Sequence, residues 1–421
     1  MAVQITPEQL DAAGQALGEV LKFHQPADSV LSNFFREEKK LGARDRTFVA
    51  DATYGVLRNL RRVQLATGQA VGARKLILAW LTRFEGYSLR QLEPLLSGGE
   101  REWLAAQKAE VARPLTVAER CDMPDWLAQR LVAQRGEEAT LKLSDALNKS
   151  APLDIRVNPL KGERDAVLTH FLAHNIEAIP GNYSPLAIRL SNKHALQRHP
   201  LFINGVIEVQ DEGSQLLAFL VAPKRGEMIA DFCAGAGGKT LLLGGLMRST
   251  GRLYAFDVSE KRLAKLKPRL ARSGLSNVHP AAIAHENDAR IKRLAGKMDR
   301  VLVDAPCSGF GTLRRNPDLK WRQSEESIAE LSAKQSSILA AAAKLVKIGG
   351  RLVYATCSLL ADENDNVVDG FLAAQPGFVE ESATAVLAAE KITLDTGKRL
   401  RLDPLQHGTD GFFAVVLTRK S

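Results

Sequence analysis

Along roughly the first 140 residues, apolar positions recur at spacings of three and four, as in Leu10, Ala13, Leu17 and Leu21 and again in Phe48, Ala52, Val56 and Leu57. That period predicts amphipathic helices. Gly98-Gly99 and Pro114 punctuate the stretch, and Pro124 with Trp126 opens a further helical segment. Residues 151–215 change period. Leu153-Asp-Ile-Arg-Val-Asn158 alternates as a strand does, Glu163 to His174 has helical spacing, and Ala187–Leu190 and Gly205–Val209 read as short strands. Together they predict a small α+β module.

From residue 219 the pattern becomes strand, glycine turn, helix, strand. Met228-Ile-Ala-Asp231 is a strand, followed by a glycine-rich turn and a helix from Thr240 to Met247. Leu253-Tyr-Ala-Phe-Asp257 is a second strand, with a basic helix from Ser259 to Ser273 behind it. Val301-Leu-Val-Asp304 is a third strand, Ser327 to Val346 a long helix, Arg351 to Thr356 a further strand, and Phe412 to Thr418 the last. Such alternation predicts an α/β domain with a doubly wound, mostly parallel sheet. The expected divisions are 1–115, 116–218 and 219–421.

A chain of 421 residues buries enough apolar surface to fold without disulfides or metals. No apolar run reaches the 18 or so residues of a membrane span, and the opening Met-Ala-Val-Gln-Ile-Thr-Pro-Glu lacks the regions of a signal peptide. The four cysteines, Cys121, Cys233, Cys307 and Cys357, match no zinc spacing. A reducing cytoplasm is expected, with no metal and no membrane, and each cysteine is either buried filler or a reactive thiol. The net charge of +9 is uneven: Glu260 to Arg322 alone carries 15 basic against 6 acidic residues. A concentrated basic region suits an anionic partner, above all nucleic acid, although a solvated helix face would look the same.

The turn Asp231-Phe-Cys-Ala-Gly-Ala-Gly-Gly-Lys-Thr240 admits several readings. A phosphate-binding P-loop needs glycine where Cys233 stands, and Gly235, Gly237 and Gly238 are too closely spaced for the dinucleotide pattern. A loop for S-adenosylmethionine (SAM), which asks only for close backbone approach, remains, beside a simple strand-to-helix turn. Asp257, at the end of the next strand, can accept hydrogen bonds from ribose hydroxyls or cap the following helix.

Val303-Asp-Ala-Pro-Cys-Ser-Gly-Phe-Gly311 delivers Asp304 and Cys307 to the carboxyl edge of the sheet, where open α/β sheets bind ligands. Tyr354-Ala-Thr-Cys-Ser358 delivers Cys357 to the same edge. A lone cysteine is usually a small buried hydrophobe; two at strand ends beside an aspartate suggest chemistry. Carbon 5 of a pyrimidine is a poor nucleophile. A thiolate adding at carbon 6 makes an enamine whose carbon 5 attacks an activated methyl group, and a carboxylic acid near ring nitrogen 3 stabilises the adduct. A base must then remove the carbon 5 proton so that the thiolate can leave.

Residues ~116–421 resemble the Sun/RsmB family of SAM-dependent RNA cytosine-5 methyltransferases. The resemblance rests on residues 231–240, on Asp-Ala-Pro-Cys-Ser-Gly (304–309), Arg-Arg-Asn-Pro-Asp (314–318) and Ala-Thr-Cys-Ser (355–358), with support from residues 153–158, 210–215 and 407–413. It implies a Rossmann-like class I methyltransferase domain over 219–421, preceded by a helical linker with a small α+β RNA-binding module over 116–218. Cys357 is implied as the nucleophile, Cys307 as assisting proton removal or release, and Asp304 as their catalytic partner. SAM contacts are implied from Cys233, Ala234, Gly235, Ala236, Gly237, Gly238, Lys239, Asp257, Asp288 and Asp304. The segments 43–48 and 54–58 resemble the NusB-like helical RNA-binding domain of the RsmB branch, abbreviated here over residues 1–115. That branch implies 16S ribosomal RNA as partner. Transfer RNA methylation and a non-catalytic RNA-binding assembly factor are the competing readings. Arg314 and Arg315, directly after the Cys307 loop, are expected on RNA phosphates, and a monomer is expected.

Overall fold

The computed structural model describes residues 5–68, 71–106, 113–192 and 194–421; the first four residues of the opening segment read against a signal peptide lie outside them. Contacts divide the chain into two units, residues 1–150 with 312–325 and residues 151–311 with 326–421. The expected boundaries at 115 and 218 do not coincide with this division. Helices on both sides of 115 share a unit, and the α+β segment shares its unit with the large sheet.

The first unit is helical. Its opening helix α1 (Pro7–Val20) begins with a capping box, in which Thr6 Oγ1 accepts from Gln9 N at 3.2 Å and Gln9 Oε1 accepts from Thr6 N at 3.0 Å. The apolar face read from the sequence is the buried one: Leu10, Ala13 and Leu17 pack in one core with Ala52, Val56 and Leu57 of the helix Ala43–Arg58. The segment 312–325 adds to this unit through Asp318, whose Oδ2 accepts from Ala27 N at 3.2 Å, and Trp321, whose Nε1 donates to Leu57 O at 3.0 Å. Lys320 is 1% exposed and donates to Arg58 O and Asn148 Oδ1 at 2.9 and 3.1 Å. Burial pushes its ammonium down to about 7.

The second unit holds two sheets. The smaller has the order β2-β3-β1-β4, all antiparallel, from β1 (Leu153–Val157), β2 (Ala178–Pro180), β3 (Ala187–Leu190) and β4 (Ile207–Val209). The larger contains β5 (Met228–Asp231), β6 (Arg252–Asp257), β7 (Val278–Ala282), β8 (Met298–Asp304), β9 (Val346–Thr356), β10 (Phe378–Glu381), β11 (Leu400–Leu402) and β12 (Phe412–Arg419). Its order is β10-β12-β9-β8-β5-β6-β7, with β11 on β12. The five strands β7 to β9 in that order are parallel, and β10, β11 and β12 join antiparallel. The doubly wound expectation holds, and the chain direction across the sheet reverses between β5 and β8. A crevice opens at the carboxyl ends of strands at such a switch point.

Two local expectations change. The basic helix is broken into Glu260–Ala264 and Leu266–Ser273, because Pro268 has no N–H to give Ala264 O. Strand β7 escaped the sequence pattern because Pro280 interrupts it; as an edge strand it tolerates the missing donor. No helix among the described residues is long and apolar enough to cross a membrane.

Candidate active site

Strand β5 hands the chain to the turn 232–237 and then to the helix Gly238–Leu246. Gly237 has φ +82°, in the left-handed region, and a Cβ on it would lie 2.1 Å from Leu266 Cδ1, so shape and packing both demand glycine. Gly235 N donates to Asp257 Oδ2 at 2.8 Å, and Asp257 Oδ1 accepts from Ser259 N at 2.8 Å. Asp257 therefore ties the turn to β6 and holds Ser259, the cap of the next helix. Two further braces come from the small sheet. Arg156 of β1, fully buried, donates from Nη1 to Gly238 O at 2.8 Å, and Arg269, held by Glu208 of β4 at 2.9 Å, donates to Ala236 O at 2.6 Å.

The residues of this crevice fit SAM, a ligand with a cationic sulfonium and ammonium. Asp231, Asp257 and Asp304 stand at the carboxyl ends of β5, β6 and β8. Asp231 Oδ2 accepts from Thr240 Oγ1 at 2.7 Å, while its buried Oδ1 has no hydrogen-bond partner among the described residues. Burial, aided by the charges of Asp304 and Asp257, pushes the Asp231 carboxyl up to about 7. An orphaned buried oxygen is costly unless a ligand satisfies it. Cys233 in the same turn is pushed well above the ordinary thiol range by burial and these carboxylates, which keeps it a neutral thiol. Lys239 Nζ donates to Asp304 Oδ2 at 2.7 Å.

Both cysteine loops reach this edge. Cys307 Sγ and Cys357 Sγ are 3.2 Å apart, and Cys357 N donates to Cys307 Sγ at 3.3 Å. The Cys307 thiol is pushed well above its ordinary value by the hydrogen bond to Cys357, by burial, and by the charges of Cys357 and Glu363. The residue after each cysteine, Ser308 and Ser358, donates its hydroxyl to the buried Glu363. Sequence reasoning missed Glu363; the only signal was the repeated Cys-Ser dipeptide at the two strand ends.

Asp288 and Arg314 each have partners of their own. Asp288 spends both carboxylate oxygens on backbone, Oδ2 on Ala284 N at 3.0 Å and Oδ1 on Arg290 N at 2.8 Å, as the cap of the helix Ala289–Lys292. Those bonds hold its carboxyl below the usual range, and it makes no hydrogen bond to the other predicted site residues. Arg314 is expected, with Arg315, on RNA phosphates. Its segment belongs to the helical unit, where Arg314 is 6% exposed and its carbonyl accepts from Arg58 Nη2 at 2.9 Å. Arg315 is partly exposed. Among the described residues no cluster of three or more metal-ligating side chains occurs.

The chain is similar to known methyltransferases. The family described as 16S rRNA methyltransferase RsmB/F matches residues 218–418, and the ferredoxin-like domain of RsmF/B-like methyltransferases matches residues 123–197. Ribosomal RNA small subunit methyltransferase B of Citrobacter koseri is 31% identical over 438 residues, covering 97% of this chain and 98% of that protein. The crystal structure of PH0851 superposes with a TM-score of 0.79 at 25% identity, covering 99% of this chain and all of the other. NSun6 from Pyrococcus horikoshii, solved with SFG, has a TM-score of 0.62 at 20% identity over 71% of this chain and 98% of its own, and so shares the fold.

Proposed function

The chain belongs to the RsmB/F family of SAM-dependent ribosomal RNA methyltransferases, and from that premise we propose that it methylates carbon 5 of a cytosine in 16S rRNA through a covalent bond between Cys357 and carbon 6. The observation that carries this reading is the 3.2 Å Cys307–Cys357 sulfur pair on the same sheet edge as the Lys239–Asp304 ion pair. Bound SAM supplies an electrophilic methyl group.

The chain's own residues divide the remaining work. The Cys357 thiol loses its proton to solvent, its sulfur adds its electron pair to carbon 6, and the pair from the ring double bond becomes available at carbon 5. Lys239 holds Asp304 Oδ2, leaving Oδ1 for ring nitrogen 3, to which no described residue donates. Cys307 gives its own proton to solvent once the adduct has formed; its thiolate then removes the carbon 5 proton after methylation, and the electrons of that bond restore the ring double bond as the carbon 6–sulfur bond breaks. The timing follows from what holds the Cys307 proton. Two of its causes, the hydrogen bond to Cys357 and the charge on Cys357, vanish once Cys357 sulfur is bonded to carbon. Cys307 is thus released to act as a base only after the adduct has formed.

The helical unit, read as a NusB-like domain, and the small antiparallel sheet are proposed to bind RNA in a reducing cytoplasm. Asp288 is retained as a SAM neighbour only through its place in the loop after β7, and Arg315 as a phosphate contact. Bisulfite sequencing of RNA from a deletion strain tests the assignment. Loss of one protected cytosine in 16S rRNA is expected. Loss in transfer RNA instead would move the substrate, and no loss anywhere would favour the non-catalytic assembly factor.

A further inference from the structure

Glu363 is 0% exposed, at the end of the short turn Ala361–Glu363 that follows the Cys357 strand. Four donors converge on its carboxylate. Oε1 accepts from Ser308 N at 2.8 Å and from Gln335 Nε2 at 3.0 Å; Oε2 accepts from Ser308 Oγ at 2.5 Å and from Ser358 Oγ. No lysine or arginine among the described residues pairs with it. A buried carboxylate without a cation is expensive, and an apolar side chain in its place would cost less. Its partners show what it does instead. Ser308 follows Cys307 and Ser358 follows Cys357, so one side chain grips both strand ends that carry the sulfurs. The grip is itself anchored: Gln335 Nε2 also donates to Pro306 O at 2.9 Å, just before Cys307, and Tyr354 Oη donates to Glu363 O at 2.7 Å. Asn364 continues it, accepting from Thr356 Oγ1 at 2.5 Å and donating to Ser358 O at 3.1 Å, on either side of Cys357.

We propose that Glu363 is the positioning residue of the cysteine pair: acting through Ser308 and Ser358, its carboxylate fixes the separation of the two sulfurs. The role rests on the reading of Cys307 and Cys357 as the reacting thiols. Glu363 touches neither RNA nor SAM in this scheme. Its charge has a second effect, since it is among the groups that keep the Cys307 thiol protonated.

The test separates geometry from charge. Glu363→Ala removes the bridge and should lower kcat on a 16S rRNA transcript by about 10- to 100-fold, the scale of a small misplacement of reacting groups. KM for RNA and the dissociation constant for SAM should stay within about twofold, since Glu363 lies outside both binding contacts. Glu363→Gln keeps a side chain able to bond both serines and should recover most of the lost kcat. If Glu363→Ala folds poorly, the pair Ser308→Ala with Ser358→Ala removes the hydroxyl bridges with Glu363 in place and should lower kcat in the same direction. Iodoacetamide alkylation of Cys307 against pH, read by mass spectrometry, needs neither RNA nor SAM. In Glu363→Gln it should shift to lower pH. An unchanged kcat in Glu363→Ala, a Glu363→Gln no better than alanine, or an unmoved alkylation profile would each overturn the proposal. A wild type that methylates no RNA, with the alkylation shift intact, would instead overturn the catalytic reading and leave the coupling of Glu363 to the thiols standing.

Discussion

Lys239 and Asp304, 65 residues apart in the chain, form a 2.7 Å ion pair in which the lysine side chain is 12% exposed and the aspartate 29%. Burial alone would depress the lysine; Asp304 first, then its hydrogen bond and Cys357, more than reverse that and hold the ammonium above its ordinary value. The glycine turn and strand β8 thus share one charge pair. Lys239→Met should leave Asp304 without its partner and lower kcat by roughly 100-fold, within the usual range for losing a group that orients acid–base chemistry. Single-turnover rates at saturating SAM check this. A loss confined to SAM affinity would assign Lys239 to the turn alone.

The two cysteines should fail in different ways. Cys357→Ala has no sulfur for carbon 6, so methylation and adduct both disappear. Cys307→Ala still allows attack and methyl transfer but not loss of the carbon 5 proton, so the protein should stay attached to methylated RNA. A denaturing gel with RNA and SAM reads this directly: a retarded band is expected for Cys307→Ala only. The reverse pattern would exchange the roles.

Asp231 predicts a proton signature. Its carboxyl sits at about 7 in the folded protein, above its unfolded value near 4. Below pH 4 it is protonated in both states. Between about 4 and 7 the unfolded chain ionises first, so the contribution of Asp231 to stability is lost as pH rises through that window. A cationic ligand works in the opposite direction and favours the ionised form. SAM affinity should therefore rise as pH passes through 7, with proton release on binding below that pH. Calorimetry in two buffers of different ionisation enthalpy measures the release, and Asp231→Asn should abolish it.

Gly237→Ala should destabilise the second unit by about 2–3 kcal/mol, from the left-handed backbone and the clash with Leu266 together. On a Leu266→Ala background only the backbone part, about 1–2 kcal/mol, should remain. Denaturant midpoints for the double-mutant cycle give the answer; equal costs on both backgrounds would mean that Leu266 moves aside freely.

Much of the sheet edge was legible because it is written in short apolar runs that end in a reactive residue: Ile229 to Asp231, Phe256 to Asp257, Val301 to Asp304. Those signals are local. What escaped depends on distant partners. Nothing near Lys239 announces Asp304, and Glu363 lies among Asp362, Asn364 and Asp365, a composition that reads as solvated surface although the side chain is fully buried. Adjacency in sequence is also not membership of one unit. Arg314 follows the Cys307 loop closely, yet the chain between Gly311 and Glu326 belongs to the helical unit, and the Asp318 and Trp321 contacts that hold it there involve residues 291 and 264 positions earlier.

The order in which the polypeptide is made gives β12 a particular weight. It lies between β9 and β10 and pairs with β9 on the side away from β8; just before it, Gly411 N donates to Gly311 O at 2.8 Å, in a contact so close that a Cβ on Gly311 would meet Gly411 O at 2.1 Å. Until residues 411–419 leave the ribosome, the strand bearing Cys357 has a bare hydrogen-bonding edge and the Cys307 loop lacks its support. A translating ribosome therefore carries a nascent enzyme whose helical unit can already fold while its thiols are still unset. Stalling before residues 411–419 are made would release a sticky strand edge rather than a slow catalyst.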